Sequence, residues 1–137
     1  MAQQPLQVSS VTIAAPNPRE LAGFYQRLLD WTVSALEDPR PGDPPEAGWA
    51  QLRHPSAGPG LMTLNIEFEK DYVRPVWPSA PGQQHITAHL DIPVGDLDTA
   101  VAQALDAGAT LAEVQPQDRV RVMLDPAGHP FCLFLTA

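Results

Sequence analysis

Polar and apolar residues alternate along QHITAHLDIPVGDLDTAV, the stretch that spans residues 84–101. Successive side chains of a strand point to opposite faces, so the alternation predicts a strand from His85 to Val94 with one polar face. That polar face comprises His85, Thr87, His89 and Asp91. Imidazole and carboxylate groups bind divalent metals and transfer protons. This face is therefore a candidate lining for a metal or substrate site.

Spacing limits which of these groups can act together. His85 lies four residues from His89, roughly 13 Å along a strand, so the two imidazoles cannot bind the same ion. We interpret His85 as a solvated residue at the mouth of the strand, and we expect Asp91 to hydrogen-bond a neighbour across the sheet. His54 and His129 fall in predicted turns, where we expect exposed side chains without a functional role.

The composition is that of one acidic globular domain. The chain has 137 residues, of which 44% are hydrophobic, and this is enough for a core. Sixteen Asp and Glu against eight Lys and Arg give a net charge of -8, and the scattered basic residues do not suit a nucleic acid backbone. The sequence contains neither a membrane-spanning run nor a typical signal peptide. We therefore expect a cytoplasmic protein that binds no nucleic acid and no membrane.

The first half of the chain predicts a strand, a helix and three further strands. β-Branched and apolar residues predict a strand over 6–15, which the PNP motif ends. A helix from Pro18 to Leu29 is predicted by apolar residues at spacings of three and four, with Asn17 as N-cap and Glu20 completing a capping box. The runs WTVSALED, WAQLRH and LMTLNIEFE then predict three strands.

The second half repeats this order after a proline-rich connection over 70–84. The strand from His85 leads to Asp96 as N-cap, to a helix that ends at Gly108, and to strands in TLAEVQ, RVRVMLD and PFCLFLT. The last two strands are joined by DPAG, which has the composition of a type I turn.

Residue matches support an internal repeat of the two halves. An offset of 79 residues superposes SVTIAAPN on HLDIPVGD, and so places Ser10 on His89 and Asn17 on Asp96. In the same way, RHPSAG before the last strand of the first half resembles LDPAG in the second. The sequence therefore predicts two βαβββ modules.

With these motifs the chain resembles the vicinal oxygen chelate superfamily, which includes glyoxalase I, extradiol dioxygenases and bleomycin-resistance proteins. It is most similar to an actinobacterial branch of glyoxalase-like proteins. The resemblance rests on PNPRELAGFYQRLLDW, DYVRPVWP, HLDIPVGDLDTAV, GATL and VMLDPAGHPFCL, and it spans essentially the whole chain.

The resemblance implies an α+β fold and a single glyoxalase-like domain over 1–137. Module one would occupy about 6–69, the connection about 70–84 and module two about 85–137. The modules would join into one cupped, strongly curved mixed sheet with the helices outside, and the cup would hold the ligand. A homodimer is the expected assembly.

In metal-dependent members of the superfamily, each module supplies one ligand from its first strand and one from its last. His89 matches the ligand of the second module's first strand, whereas Ser10 does not match that of the first module. Cys132 stands where glyoxalase I has a glutamate, and alignment through DYVRPVWP places Glu67 at the remaining position. Alignment through HPSAG moves that position to an uncharged residue, Thr63 or Asn65.

This ligand set is incomplete for a divalent metal, which needs three or four His, carboxylate or thiolate groups. His89 and Glu67 are the candidate metal ligands. Cys132, the single cysteine, lies in the apolar run FCLFL, where burial raises the pKa of a thiol and disfavours the thiolate. We therefore expect either no cofactor or a single divalent metal ion.

Three aromatic residues lie in or beside irregular proline-rich segments, where they belong to no periodic core face. They are Trp49, Tyr72 and Trp77. Such rings would cover a flat organic ligand, although Trp77 could equally pack the connection onto the sheet or onto a partner subunit. Together with the strand residues Ser10, Cys132 and Phe134, they are the predicted ligand-contacting residues.

Three functions follow from these features. The favoured function is to hold an apolar or aromatic metabolite or antibiotic in the cup. The alternative is a lyase, isomerase or dioxygenase in which His89 and Glu67 are catalytic, either by holding a metal ion or with one of them as a general base. A third function, as a regulatory module that binds a protein through its dimer surface, has only the missing ligands in its favour.

Overall fold

The computed structural model describes residues 4–56 and 62–136. The chain forms two compact units, Met1–Lys70 and Asp71–Ala137. Each unit contains one helix and one four-stranded mixed sheet in the order βαβββ. The predicted α+β class and the predicted repeat are confirmed. The connection over 70–84 falls almost entirely within the second unit.

The elements of the first unit are β1 (Ser10–Ala15), α1 (Pro18–Leu29), β2 (Thr32–Glu37), β3 (Trp49–Arg53) and β4 (Thr63–Phe68). Those of the second unit are β5 (Leu90–Val94), α2 (Leu97–Ala107), β6 (Thr110–Leu111), β7 (Val120–Leu124) and β8 (Pro130–Leu135). Neither helix is long and apolar enough to cross a bilayer.

Helix α1 begins and ends where its local sequence predicts. The side chain of Asn17 accepts a hydrogen bond from the backbone N–H of Glu20 at 3.3 Å, which satisfies one of the free donors at the helix start. Asp30 adopts a left-handed conformation with φ 55° and ends the helix. The inner face of the helix is buried at Leu21, Phe24 and Tyr25.

The sheet of the first unit has the order β1-β4-β3-β2, with β1 parallel to β4 and the other pairs antiparallel. Its core includes the buried residues Leu52, Leu64 and Ile66, on strands that contact α1. The strand predicted over 6–15 begins only at Ser10. Residues 57–61, which include the end of RHPSAG and the start of LMTLNIEFE, lie outside the described residues.

The sheet of the second unit repeats this topology in the order β5-β8-β7-β6, with β5 parallel to β8. Helix α2 is capped by Asp96, whose carboxylate accepts from the N–H of Thr99 at 2.8 Å. Gly108, with φ 120°, ends the helix. Phe131 and Leu133 of β8 are buried, and α2 packs on β7 and β8.

The predicted strand from His85 to Val94 is wrong over its first half. Strand β5 begins only at Leu90, which pairs with Phe131 near the start of β8. Pro130, the first residue of β8, has no N–H to donate, and the residues before it form a turn. The residues before Leu90 therefore have no continuous partner strand to pair with. The alternation therefore does not assign faces to the segment 85–89.

Candidate ligand pocket in the second unit

The second unit contains a pocket of about 550 Å³, within the range of small-molecule sites. The strands β5, β7 and β8, the connection and the segment after β6 all contribute to it. Its apolar lining consists of Trp77, Ile86, Pro116, Val120, Val122, Pro130 and Phe134. Its polar lining consists of His89, Asp91, Gln117 and Cys132.

The pleat of the sheet explains which strand residues reach the pocket. Along β8, Phe131 and Leu133 are buried, while the alternate residues Pro130, Cys132 and Phe134 line the pocket. Cys132 pairs with Asp91 on one side and with Val122 on the other. One row across three strands therefore places a carboxylate, a thiol and an apolar side chain together.

His89, Asp91 and Cys132 form the polar cluster of the pocket. One potential ligand atom from each residue lies within 4.8 Å of the other two. The Nδ1 atom of His89 lies 3.1 Å from Oδ1 of Asp91, and the two side chains are 39% and 57% exposed. A ligand can therefore reach both groups. Cys132 stands opposite Asp91 in the β5–β8 ladder, and His89 contacts Asp91 from its own chain segment. The expected hydrogen bond of Asp91 across the sheet stays a prediction.

Burial, and to a lesser degree the negative charge of Asp91, raises the pKa of the Cys132 thiol. The thiol is thus mostly protonated at neutral pH and is a weak nucleophile. The direction agrees with the expectation from the apolar run FCLFL.

The donor set of this cluster suits a borderline metal ion such as Zn²⁺. Imidazole, carboxylate and thiolate are all zinc ligands, and three protein ligands leave a position for water or substrate. Binding would have to displace the thiol proton, so it would release a proton and depend on pH. The residues are therefore chemically compatible with a metal ion.

The structure brings four of the predicted site residues together around the pocket: Trp77, His89, Cys132 and Phe134. Ser10, Trp49 and Glu67 belong to the first unit. Trp49 lines a separate pocket there of about 420 Å³ that also contains Glu37, Asp38, Arg40 and Asp43, and Trp49 faces Glu67 across the β3–β4 ladder. Their roles in ligand binding stay predictions.

The strand register identifies which residue of the first unit corresponds to Cys132. Asp91 pairs with Cys132, and Thr12, which precedes Asp91 by the same 79 residues, pairs with Asn65. By the same rule Glu67 corresponds to Phe134, because Ala14 pairs with Glu67 and Pro93 with Phe134. The register therefore favours the alternative alignment, in which Asn65 stands at the fourth position.

A second cluster, formed by Tyr72, Asp125 and His129, was not anticipated from the sequence. His129 is only 17% exposed, and its Nδ1 lies 2.8 Å from Oδ2 of the fully buried Asp125. The expectation of an exposed His129 is wrong, because Asp125 also accepts hydrogen bonds from the N–H groups of Ala127 and His129 and so folds the turn around its carboxylate. The Asp-Pro-x-Gly-His spacing could have indicated this turn, since an Asp side chain favours hydrogen bonds with nearby backbone N–H groups.

Tyr72 joins this cluster from the connection. Its hydroxyl donates to the carbonyl of Ala127 at 2.8 Å and lies 3.3 Å from Nε2 of His129. Burial, followed by the negative Asp125, raises the pKa of Tyr72 to about 12, although Arg74 acts in the opposite direction. The phenol therefore remains a donor at neutral pH. Tyr72 is not among the described residues that line the pocket.

Arg74 provides a second attachment of the connection to the same turn. Its guanidinium donates to the carbonyl of Pro126 at 3.0 Å, and its side chain lies against Gly128, where a Cβ atom would come within 2.4 Å of Arg74 Cγ. Gly128 also has φ +92°, so a side chain is disfavoured twice there. Tyr72 and Arg74 thus fix the segment that leads to Trp77 in the pocket lining.

Ile86 is another lining residue that the sequence did not indicate. In the predicted strand from His85 to Val94, Ile86 would lie on the face opposite His89, yet both residues line the pocket. This assignment is wrong because residues 85–89 do not form a strand. In an irregular segment, side chains two and three positions apart can point the same way.

The chain belongs to the family of glyoxalase-like domains, whose family model matches residues 10–134. The resemblance to the vicinal oxygen chelate superfamily is thereby confirmed.

Several solved structures are similar to this chain in fold. A glyoxalase family protein from Enterococcus faecalis is similar with 22% sequence identity and a TM-score of 0.63, over 93% of this chain and 96% of that one. A glyoxalase/bleomycin resistance protein/dioxygenase family enzyme from Burkholderia phytofirmans shares 19% identity, with a TM-score of 0.63 over 96% and 100% of the chains. TnmS3, an antibiotic-binding protein from a Streptomyces species, shares 16% identity, with a TM-score of 0.61 over 99% and 100%. No curated protein matches the chain in sequence.

Proposed function

We propose that the protein binds a flat, largely apolar small molecule, such as an aromatic metabolite or antibiotic, in the pocket of the second unit. The observation that carries this proposal is the lining, in which seven apolar residues surround the cluster of His89, Asp91 and Cys132. Small-molecule sites combine a mostly apolar wall with a few polar groups in this way. TnmS3, which has the same fold, is an antibiotic-binding protein.

The two aromatic side chains of the lining explain why a flat ligand is expected. Trp77 from the connection and Phe134 from β8 both line the pocket, and aromatic faces favour stacked or edge-on contacts with other rings. Tyr72 and Arg74 fix the connection to the turn after β7. The position of Trp77 is therefore set before a ligand binds, which lowers the entropic cost of binding.

Replacing Trp77 by alanine tests this function. We expect W77A to weaken binding of a flat aromatic compound by about tenfold or more, as removal of a buried aromatic anchor does. W31A is the matched control, because it removes the same side chain from the first unit, where Trp31 contacts His54. Titration calorimetry would measure both after a thermal-shift screen of flat compounds. Equal affinities of W77A and the unmodified protein would refute the proposal.

A second candidate function is a metal-dependent enzyme of the lyase, isomerase or dioxygenase kind, and the His89, Asp91 and Cys132 cluster favours it. These residues would hold a divalent ion, which would supply Lewis-acid polarisation of neighbouring substrate oxygens. His89 would be a ligand, whereas Glu67 remains a predicted participant on the first unit. In a metal-free version, His89 or Glu67 would act as general base.

Elemental analysis of protein purified without a tag separates the two functions. Under the first proposal we expect substoichiometric metal, and aromatic compounds that still stabilise the protein. Stoichiometric zinc, nickel, iron or manganese that is lost in the H89A variant would instead favour the enzyme. Turnover of a true substrate that survives H89A would exclude the enzyme in the versions that depend on His89.

The homodimer and the cytoplasmic location are inferred from the sequence alone, and both remain proposals. Multi-angle light scattering of the purified full chain measures the first directly. A mass of about twice 14.8 kDa is expected for the dimer.

A further inference from the structure

We propose that the pocket of the second unit selects cationic over anionic molecules among flat apolar ligands, with Asp91 as the residue that sets this preference. The inference rests on the proposed function and deepens it by naming the charge class of the ligand. It is carried by the balance of charges and hydrogen-bonding groups that line the pocket.

Asp91 is the one Asp, Glu, Lys or Arg side chain among the described residues of the pocket lining. Its neighbour His89 places Nδ1 3.1 Å from Oδ1 of Asp91, a distance at which the imidazole N–H donates to the carboxylate. The side chain of Asp91 is 57% exposed, so the carboxylate remains open to a ligand. Its acceptor oxygens and negative charge suit an ammonium or another N–H donor.

None of the arginines of the second unit is among the described residues of the pocket lining. Arg121 donates to the carbonyls of Gln117, Asp118 and Val120. Arg74 lies against Gly128 and donates to Pro126. Arg119 is exposed and does not line the pocket.

The second unit as a whole is acidic. It carries eight Asp and Glu against three Arg, which is a formal charge of 3 − 8 = −5. Clustered charge of one sign raises the local concentration of the opposite ion. The surroundings of the pocket therefore reinforce the charge of Asp91.

Two further observations agree with a preference for cations. Asp91 faces Cys132 in the β5–β8 ladder, so its carboxylate stands beside the pocket wall that Cys132 lines. Trp77 and Phe134 also line the pocket, and the faces of aromatic rings attract cations. A flat cation would therefore be favoured by the carboxylate and by the rings at once.

The expected preference is moderate because Asp91 is more than half exposed. A charge pair near the protein surface is screened by water and salt. We expect a cation to bind about five- to tenfold more tightly than a neutral molecule of the same shape at low salt, and an anion to bind more weakly than the neutral one. Raising the salt concentration to about 0.5 M should reduce the difference.

Three anthracene derivatives with the same ring system test the inference on the full chain. Anthracenylmethylamine is a cation at neutral pH, anthracenemethanol is neutral and anthracenecarboxylate is an anion. Titration calorimetry gives the ratio of the cation affinity to the neutral affinity for each variant. The ratio is compared in the unmodified protein, in D91N and in D106N. Asp106 is an exposed residue of α2, so D106N changes the net charge equally at a distance from the pocket lining.

The inference predicts a ratio of about five to ten in the unmodified protein and in D106N, and a ratio near one in D91N. A ratio near one in the unmodified protein, or an unchanged ratio in D91N, would overturn it while leaving the proposed function in place. Anion binding as tight as cation binding would also overturn it. If none of the three compounds binds, the proposed function itself fails, and the charge preference fails with it. Melting curves establish that all variants are folded.

Discussion

The two units place different side chains at three matched positions of the chain. In the second unit these are His89, just before β5, Asp91 in β5 and Cys132 in β8. In the first unit they are Ser10, Thr12 and Asn65, matched by the offset of 79 residues and by the strand ladders. The first set contains an imidazole, a carboxylate and a thiol, whereas the second set is uncharged.

The buried positions of the same strands show the opposite behaviour. Leu64 and Ile66 in β4 are matched by Phe131 and Leu133 in β8, and all four are buried. The two sheets therefore share buried apolar side chains on the face that packs into a core. The side chains on the other face differ in chemistry between the units. Core packing constrains volume and polarity strongly, and a solvent-accessible face does not.

The largest difference in stability between matched variants of the two units should appear at the turn before the last strand. We expect Asp125→Ala to reduce the free energy of unfolding by about 3 kcal/mol or more, because two backbone N–H groups and His129 lose a buried acceptor. The equivalent turn of the first unit is exposed at His54, whose Nδ1 accepts from Ser56 N–H. We expect His54→Ala to cost about 0.5 kcal/mol.

Urea unfolding of the two variants measures both costs. Similar losses in D125A and H54A would show that the buried carboxylate adds no stability to the second unit beyond that of an exposed turn residue.

The next largest difference in stability is expected from alanine variants of two glycines that have nearly the same backbone angle φ. Gly42 and Gly128 have φ +93° and +92°, but a Cβ atom meets nothing within 4 Å at Gly42 and meets Arg74 at 2.4 Å at Gly128. We expect Gly42→Ala to cost about 1 kcal/mol from backbone strain alone. Gly128→Ala should cost about 2 to 3 kcal/mol, because Arg74 must also move.

The same pair distinguishes stability from ligand binding. Displacing Arg74 should shift the segment that leads to Trp77, so G128A should also weaken binding of a flat aromatic ligand, whereas G42A should not. Differential scanning calorimetry and the binding titration measure the two effects separately. Equal effects of the two variants would show that Arg74 adapts freely.

The smallest expected difference is in how stability depends on pH at the helix N-caps. These caps are Asn17 in the first unit and Asp96 in the second. Hydrogen bonds from Thr99, first from its side chain and then from its backbone, lower the pKa of Asp96. A lowered pKa in the folded state means that the cap stabilises the protein above the unfolded pKa, and that this contribution is lost as the pH falls through the folded pKa.

The advantage of the unmodified protein over D96N should therefore be present at pH 7 and decline below about pH 4. The reciprocal variant N17D should gain a pH dependence of the same sign in the first unit. Melting temperatures of the three proteins between neutral and acidic pH measure this difference. A constant gap between the unmodified protein and D96N over that range would contradict the assignment.

Features that depend on neighbouring residues were predictable from the sequence. Helix α1 has the predicted bounds because Asn17, Pro18 and Asp30 act within one turn of its ends. The cap at Asp96 and the end of α2 at Gly108 are confirmed for the same reason. Local hydrogen bonds and backbone preferences decide these positions.

Features that depend on distant partners were not predictable. Strand β5 begins opposite Phe131, near the start of its partner strand β8. One contact of His129 comes from Tyr72, which lies 57 residues away along the chain. The nearness of Asp91 to Cys132 follows from a parallel ladder between β5 and β8. Periodicity assigns residues to faces but does not identify the strand that will lie alongside.

The position of the connection within the second unit has a practical consequence for engineering. Every described residue that lines the pocket of the second unit falls between Trp77 and Phe134, so a single continuous piece of the gene encodes the whole described lining. One synthetic cassette can therefore vary all of these side chains together while the sequence of the first unit is retained. The pocket of the second unit is consequently convenient to vary in libraries that are screened for ligand binding.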